Sequence, residues 1–196
     1  MNSVRFFKDN EHREQFLANL KLIECPHCEK TAYLICNGLL KGNDPDQQGP
    51  KQLERGQRIF CSNRGNRKGC GRSFSVLEPT VLPNQSIDTT ALVLLLIMVQ
   101  KCAGCIYRAF NRCTKWSFSL SSTYRVWRKI DRWQTELRHR LCQCTGPPAC
   151  SSTEPRLQLL AHLQAAFQTD DPIRNFQAHF QTPFLPGSEN QIITSP

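Results

Sequence analysis

Hydrophobic and polar positions follow two different periods along this chain and predict two kinds of structure. Residues 32–36 and 57–60 form short β-like runs, which are separated by a polar loop rich in glycine and proline. From residue 86 onward apolar side chains recur at helical spacing, and the continuous apolar run 91–99 indicates a buried central helix. We therefore predict an α+β fold, in which a small β unit precedes an α-helical bundle.

Proline and glycine divide the chain into segments. Pro79 and Pro83 separate the β unit from the helices, and the Gly146-Pro147-Pro148 run ends the helical region. Beyond it the chain is rich in Gln, Pro, Ser and Thr, which predicts a largely disordered tail with room for one helix over residues 154–168. The predicted segments are an N-terminal helix (1–20), the β unit (21–82), the helical domain (86–144) and the tail (145–196).

The charge of the chain is positive and unevenly distributed. The formal net charge is +9, and the excess of Lys and Arg falls on residues 21–145, whereas residues 146–196 carry more acidic than basic side chains. A basic surface on a small folded unit is typical of proteins that bind phosphate groups of nucleic acids. The alternative is an ordinary solvated basic face.

The cysteine content changes the interpretation of the β unit. The chain has 11 cysteines, and its first residues contain no apolar run of the kind found in a signal peptide. The apolar run 91–99 is far shorter than the roughly 20 residues that a membrane span needs. We therefore expect a cytoplasmic protein without a membrane segment, in which clustered cysteines are metal ligands rather than disulfide partners.

Four cysteines have the arrangement of a zinc ribbon. Cys25 and Cys28 lie on a tight turn before the first β-like run, and Cys61 ends the second run. Cys70 follows after eight residues, where a standard ribbon would have two. Paired cysteines on two such turns complete a tetrahedral site, so we predict one structural Zn²⁺ bound by these four thiolates. Reduced structural cysteines are the alternative.

Two other groups of residues are candidates for nucleic-acid contact. The loop between the last two ligands carries Arg64, Arg67 and Lys68, with Arg72 just beyond, and suits either phosphate contact or solubility. After helices predicted near 86–104 and 105–113, a third helix begins near residue 121 and extends to about 141, as in a helix-turn-helix. Its first turns carry the candidate DNA-binding residues Ser122, Thr123, Tyr124, Arg125, Arg128 and Lys129. The alternative is a basic amphipathic helix that packs on a protein partner.

The order of these motifs resembles the N-terminal region of bacterial insertion-sequence transposases. The matching stretches are the Cys-Pro-x-Cys turn at residues 25–28, the Cys-Gly-Arg-x-Phe turn at 70–74, and the Ser-x-Thr-x-Arg-x-Trp segment within 121–129. The resemblance implies that the ribbon and the helix-turn-helix recognise the ends of a mobile element. It also implies a downstream RNase H-like domain with three catalytic carboxylates, and we expect that this chain lacks one.

We therefore expect a zinc-dependent, DNA-binding accessory or regulator related to transposases, and not an enzyme. Double-stranded DNA is the expected partner, and a transposase or another protein is a second candidate. Two alternatives stay open: a protein-interaction scaffold built on the ribbon, and an RNA-binding protein. The RNA alternative would use the aromatic faces of Phe60, Phe74, Trp116 and Tyr124. The remaining cysteines are weaker candidates for a second metal site, namely Cys102, Cys105, Cys113, Cys142, Cys144 and Cys150.

Overall fold

The computed structural model of the chain describes residues 4–43, 52–112 and 118–186. Within them the fold is mixed α and β, with one four-stranded sheet and six helices. The described residues separate after Pro79 into two compact units, a first unit that holds the sheet and a second unit that is helical. Each unit has its own hydrophobic core.

The sheet of the first unit has the strand order β1–β4–β3–β2. Strand β1 pairs parallel with β4, and the β2–β3 and β3–β4 pairs are antiparallel. In chain order the four strands are Val4–Phe6, Leu34–Asn43, Gln52–Cys61 and Ser73–Leu77. The predicted polar loop is therefore shorter than expected, because both strands of the β2–β3 hairpin extend into it. The middle of that loop, residues 44–51, lies outside the described residues.

The N-terminal segment is a strand followed by a helix rather than one helix. Helix α1 spans Asn10–Ala18, and the carboxylate of Asp9 caps it by accepting from the backbone N–H of His12 at 2.7 Å. Residues 4–6 pair with β4, and this pairing gives their backbone N–H and C=O groups hydrogen-bond partners. One buried cluster joins this segment to the sheet and contains Phe7, Leu20, Cys25, Leu34, Ile59, Cys61, Phe74 and Val76.

The described residues of the second unit form five helices around one core. They are α2 (Thr89–Lys101), α3 (Ile106–Arg112), α4 (Leu120–Leu141), α5 (Pro155–Ala166) and α6 (Pro172–Phe180). Helix α2 buries most of its apolar run, as its sequence predicts. Its N-cap is Asp88, whose side chain accepts from the N–H of Ala91 at 2.7 Å. Among the described residues no single helix is long and apolar enough to cross a membrane, although α2 and α3, bent by 116°, reach that length together.

The helix predicted over residues 154–168 is present as α5, but the prediction that the rest of the tail is largely disordered is wrong for residues 172–180, which form α6. Helices α5 and α6 supply the fully buried side chains of Leu160, Leu163, Ile173 and Phe176 to the core of the second unit, and the segment after α6 supplies that of Phe184. The segment is polar in composition, but its apolar residues recur at helical spacing and find partners on α2 and α4. The last predicted tail residues, 187–196, lie outside the described residues.

Candidate metal centre and basic surfaces

The four cysteines predicted as ligands lie together in the first unit. Their Sγ atoms are all within 4.8 Å of one another. The Cys25 and Cys70 Sγ atoms are 3.7 Å apart, and those of Cys28 and Cys61 are 3.8 Å apart. A regular tetrahedron with metal–sulfur bonds of about 2.3 Å has sulfur–sulfur edges of about 3.8 Å. The donor set therefore fits a single metal ion held by four thiolates.

Local backbone geometry explains how each pair of sulfurs comes together. Cys25 and Cys28 lie on a turn in which the N–H of Glu29 donates to the carbonyl of Cys25 at 2.8 Å. Cys61 is the last residue of β3, and Cys70 lies just before β4. The N–H of His27 donates to Cys25 Sγ at 3.4 Å, and the N–H of Cys70 donates to Cys61 Sγ at 3.3 Å. Such N–H donors favour the thiolate form that a metal requires.

The wide spacing between Cys61 and Cys70 is closed by backbone hydrogen bonds. The N–H of Gly69 donates to the carbonyl of Ser62 at 3.0 Å, so the six residues between them project as a loop. A Cβ on Gly69 would overlap that carbonyl oxygen and lie 2.8 Å from Cys61 Sγ, so no larger residue fits at this position without a shift. The side chain of Lys30, from the first turn, also donates to the carbonyl of Lys68 at 3.1 Å. Sequence reasoning did not identify this role of Lys30, which local spacing does not reveal.

Burial and hydrogen bonding affect the thiols differently. Burial raises the pKa of Cys61 to about 12 and also raises the pKa of Cys25. At Cys28 the backbone hydrogen bond from Lys30 lowers the pKa to about 7. The buried thiols therefore stay protonated at neutral pH unless a cation offsets the charge of their thiolates.

The other cysteines do not form a comparable group. Among the described residues, Cys25, Cys28, Cys61 and Cys70 are the only cluster of three or more metal-binding side chains. Cys102 is buried in the core of the second unit, and the Cys144 Sγ atom lies 3.7 Å from His179 Nε2 on the surface. The candidate Cys113 lies outside the described residues. His27 is no part of the cluster, and its ring packs edge-on against Phe74.

The basic loop between the last two ligands faces solvent. Arg64, Arg67, Lys68 and Arg72 are all exposed. The guanidinium of Arg64 lies 5.3 Å from the centre of the Phe60 ring, which orders its side chain without neutralising its charge. No described acidic group pairs with any of these four cations.

Helix α4 presents some of its candidate residues to solvent and buries one. Tyr124, Arg125 and Arg128 are exposed, and Ser122 and Lys129 are half-buried. Thr123 is fully buried and its hydroxyl donates to the carbonyl of Ser119 at 3.3 Å, so the prediction that Thr123 contacts DNA is wrong. The helix begins at Leu120, close to the predicted start near residue 121. Its N-cap is Ser119, whose hydroxyl accepts from the N–H of Ser122 at 3.2 Å.

No protein-family model, no curated protein and no solved structure matches this chain. The resemblance to transposases therefore stays a prediction based on the quoted motifs.

Proposed function

We propose that the first unit is a zinc ribbon, in which Cys25, Cys28, Cys61 and Cys70 hold one structural Zn²⁺. The observation that supports this most strongly is the agreement of two sulfur–sulfur distances, 3.7 and 3.8 Å, with the edge of a zinc–thiolate tetrahedron. An all-cysteine donor set with closed coordination suits zinc better than magnesium or calcium, which prefer oxygen ligands. Metal-bound thiolates leave no open position for a substrate, so this role is structural rather than catalytic.

We further propose that the protein binds double-stranded DNA through its exposed cations. On α4 the exposed side chains of Tyr124, Arg125 and Arg128 occupy the first turns, which is where a recognition helix contacts the major groove. On the first unit the loop cations Arg64, Arg67 and Lys68 suit contacts to phosphate oxygens. The role that combines both is a DNA-binding accessory or regulator related to transposases.

The two alternatives have weaker support. RNA binding by base stacking would lose one of its candidate faces, because Phe74 is 2% exposed. The faces of Phe60 and Tyr124 remain accessible in part, but Arg64 already lies over the Phe60 ring. A protein-interaction scaffold is favoured by the exposed apolar side chains of Leu94 and Tyr107 on α2 and α3.

The metal assignment is tested by the metal content of the purified protein. We expect one zinc per chain, and its loss in Cys25→Ser and in Cys70→Ser. The control is Cys36→Ser, since Cys36 is exposed on β2 and lies outside the cluster. A parent protein without zinc, or a Cys36→Ser variant that loses it as completely as the ligand variants, would contradict the assignment.

The DNA assignment is tested by duplex binding over a range of salt concentrations. If the exposed cations neutralise three or more phosphates, log K for duplex binding should fall with log[NaCl] with a slope of about −3 or steeper. Single-stranded RNA of the same length serves as the competitor that separates the two nucleic-acid hypotheses. Absence of duplex binding at about 0.1 M salt would leave the scaffold hypothesis as the better explanation.

A further inference from the structure

A cleft of about 330 Å³ lies in the second unit beside the first turns of α4. One wall is the segment before α2, with Asn84, Gln85 and Ser86, and the other is the α4 surface with Ser122, Arg125 and Lys129. The polar lining carries two cations and no acidic side chain. A cleft of this composition suits an anion that accepts several hydrogen bonds.

The cations at this cleft lack counter-ions in the described part of the chain. Lys129 is half-buried and makes no ion pair there, and Arg125 donates to the hydroxyl of Ser122 at 3.1 Å. The acidic side chains of α4 are engaged elsewhere, Asp131 with Arg156 and Glu136 with Arg140. Burial lowers the pKa of Lys129, and the charges of Arg125 and Arg132 lower it further. These positive charges therefore lie close together, and no acidic side chain of the described residues forms an ion pair with Arg125 or Lys129.

The wall formed by the segment before α2 offers hydrogen-bond donors that have no other partner among the described residues. Within the described residues the side chains of Asn84 and Ser86 make no hydrogen bond to another group. Asn84 has a φ of 59°, a left-handed conformation that places it at a sharp turn of the chain. An amide, hydroxyls and two cations thus face one space from two sides.

The helical period separates these cations from the other exposed residues of α4. Ser122, Arg125 and Lys129 follow one edge of the exposed face of α4, whereas Tyr124 and Arg128, four residues apart, follow the other edge. The two edges flank the solvent-facing centre of the helix. One edge borders the cleft, and the other is free to face a different part of a ligand.

We propose that this cleft binds a phosphate group of the DNA backbone, so that Arg125 and Lys129 position α4 while Tyr124 and Arg128 contact base edges. The inference rests on the proposed DNA-binding function. It divides the exposed surface of α4 into an edge that binds the DNA backbone, with Arg125 and Lys129, and an edge that contacts bases, with Tyr124 and Arg128. The sequence assigned Arg125 and Lys129 to DNA contact in general. The cleft assigns them to contact with the DNA backbone and not with base edges.

The test uses the zinc-loaded full chain and a duplex selected from a randomised pool, with a scrambled duplex as reference. In Lys129→Gln and in Arg125→Gln the slope of log K against log[NaCl] should become shallower by about 0.9, with the ratio of selected to scrambled affinity unchanged. Lys129→Arg should restore the parent slope. Arg128→Gln should instead reduce that ratio about tenfold. Arg174→Gln, on α6 and away from the cleft, controls for the loss of one positive charge.

A second measurement separates failure of this inference from failure of DNA binding. Inorganic phosphate is titrated into the isotope-labelled protein, and the amide signals of residues 84–86 and 122–129 are followed with sodium chloride as the reference. Shifts that disappear in Lys129→Gln support the phosphate site even if the chain binds no duplex. The inference is overturned if phosphate gives no shifts at the cleft. It is also overturned if Lys129→Gln and Arg125→Gln change the ratio of selected to scrambled affinity but leave the slope of log K against log[NaCl] unchanged.

Discussion

At the scale of single residues, the metal site depends on backbone groups that approach the sulfurs closely. Gly69 allows the carbonyl of Ser62 and the sulfur of Cys61 to lie where any Cβ would overlap them. We expect Gly69→Ala to weaken zinc binding by roughly tenfold or more, as changes next to ligands do. Competition with a chromophoric chelator measures the affinity. Gly146→Ala is the control because nothing lies within 4 Å of its Cβ position, and equal zinc affinities in the two variants would contradict the argument.

The thiol pKa values predict how zinc binding depends on pH. Each protonated thiol must release its proton when the metal binds, so the affinity falls as pH falls. Cys61, with a pKa raised to about 12, releases a proton at any pH near neutrality. Cys28, with a pKa lowered to about 7, releases a proton on zinc binding below pH 7, but above pH 7 it is already a thiolate and releases none. We therefore expect log K for zinc to change more steeply with pH between 6 and 7 than between 7.5 and 8.5. A constant slope across pH 7 would contradict the low pKa of Cys28.

Local spacing made part of this residue-scale picture predictable from the sequence. The Cys25–Cys28 turn has the short spacing of a metal ligand pair, and a predicted β-like run ends at Cys61. Strand β4, which follows Cys70, was not predicted. The closure of the loop by Gly69 and Ser62 could not be predicted, since it depends on a hydrogen bond between residues seven positions apart. The burial of Thr123 was also missed, because the sequence alone did not fix where α4 begins and so which way each side chain faces.

At the scale of elements, the start of α4 can be tested directly. The hydroxyl of Ser119 accepts from the N–H of Ser122, whereas Ser121 is exposed and makes no such bond. We expect Ser119→Ala to lower the free energy of unfolding by about 1 kcal/mol and Ser121→Ala to leave it nearly unchanged. Urea unfolding followed by tryptophan fluorescence measures this, because all three tryptophans lie within residues 116–133. A larger loss in Ser121→Ala would indicate a helix that begins at the later position.

Element types were easier to predict than their extents and partners. The apolar run of α2 and the amphipathic pattern of α4 indicated helices that the structure contains. The hairpin of β2 and β3 extends beyond its apolar residues because antiparallel backbone pairing carries polar residues along with it. Helix α5 was predicted, but α6 and the burial of both helices were not, because a polar composition obscured apolar residues that become buried only against other helices.

At the scale of each whole unit, Asp171 joins two helices that are far apart in sequence. Its carboxylate accepts from the hydroxyls of Thr89 at 2.6 Å and Thr90 at 3.1 Å, and also from the N–H of Arg174 at 2.9 Å. We expect Asp171→Ala to lower the free energy of unfolding by about 2–3 kcal/mol, since it leaves the buried Thr89 hydroxyl without an acceptor. Asp170→Ala is the control, because that side chain is exposed and unpaired in the described part of the chain. Equal effects on tryptophan-detected unfolding would contradict this role of Asp171.

Removal of the metal should affect the two units differently. The core cluster of the first unit contains Cys25 and Cys61, so removal of the proposed Zn²⁺ would break the cross-link between these buried side chains. The second unit has a larger core without any of the four ligands, and it contains Trp127 and Trp133. We expect a strong chelator to abolish the protection of β3 and β4 amides from hydrogen exchange, while the tryptophan-detected unfolding transition stays at the same urea concentration. Re-addition of Zn²⁺ should restore the protection. If chelation shifted the tryptophan transition as much as it reduced strand protection, the helical unit would depend on the metal as well, and the separation into two independently stabilised cores would be wrong.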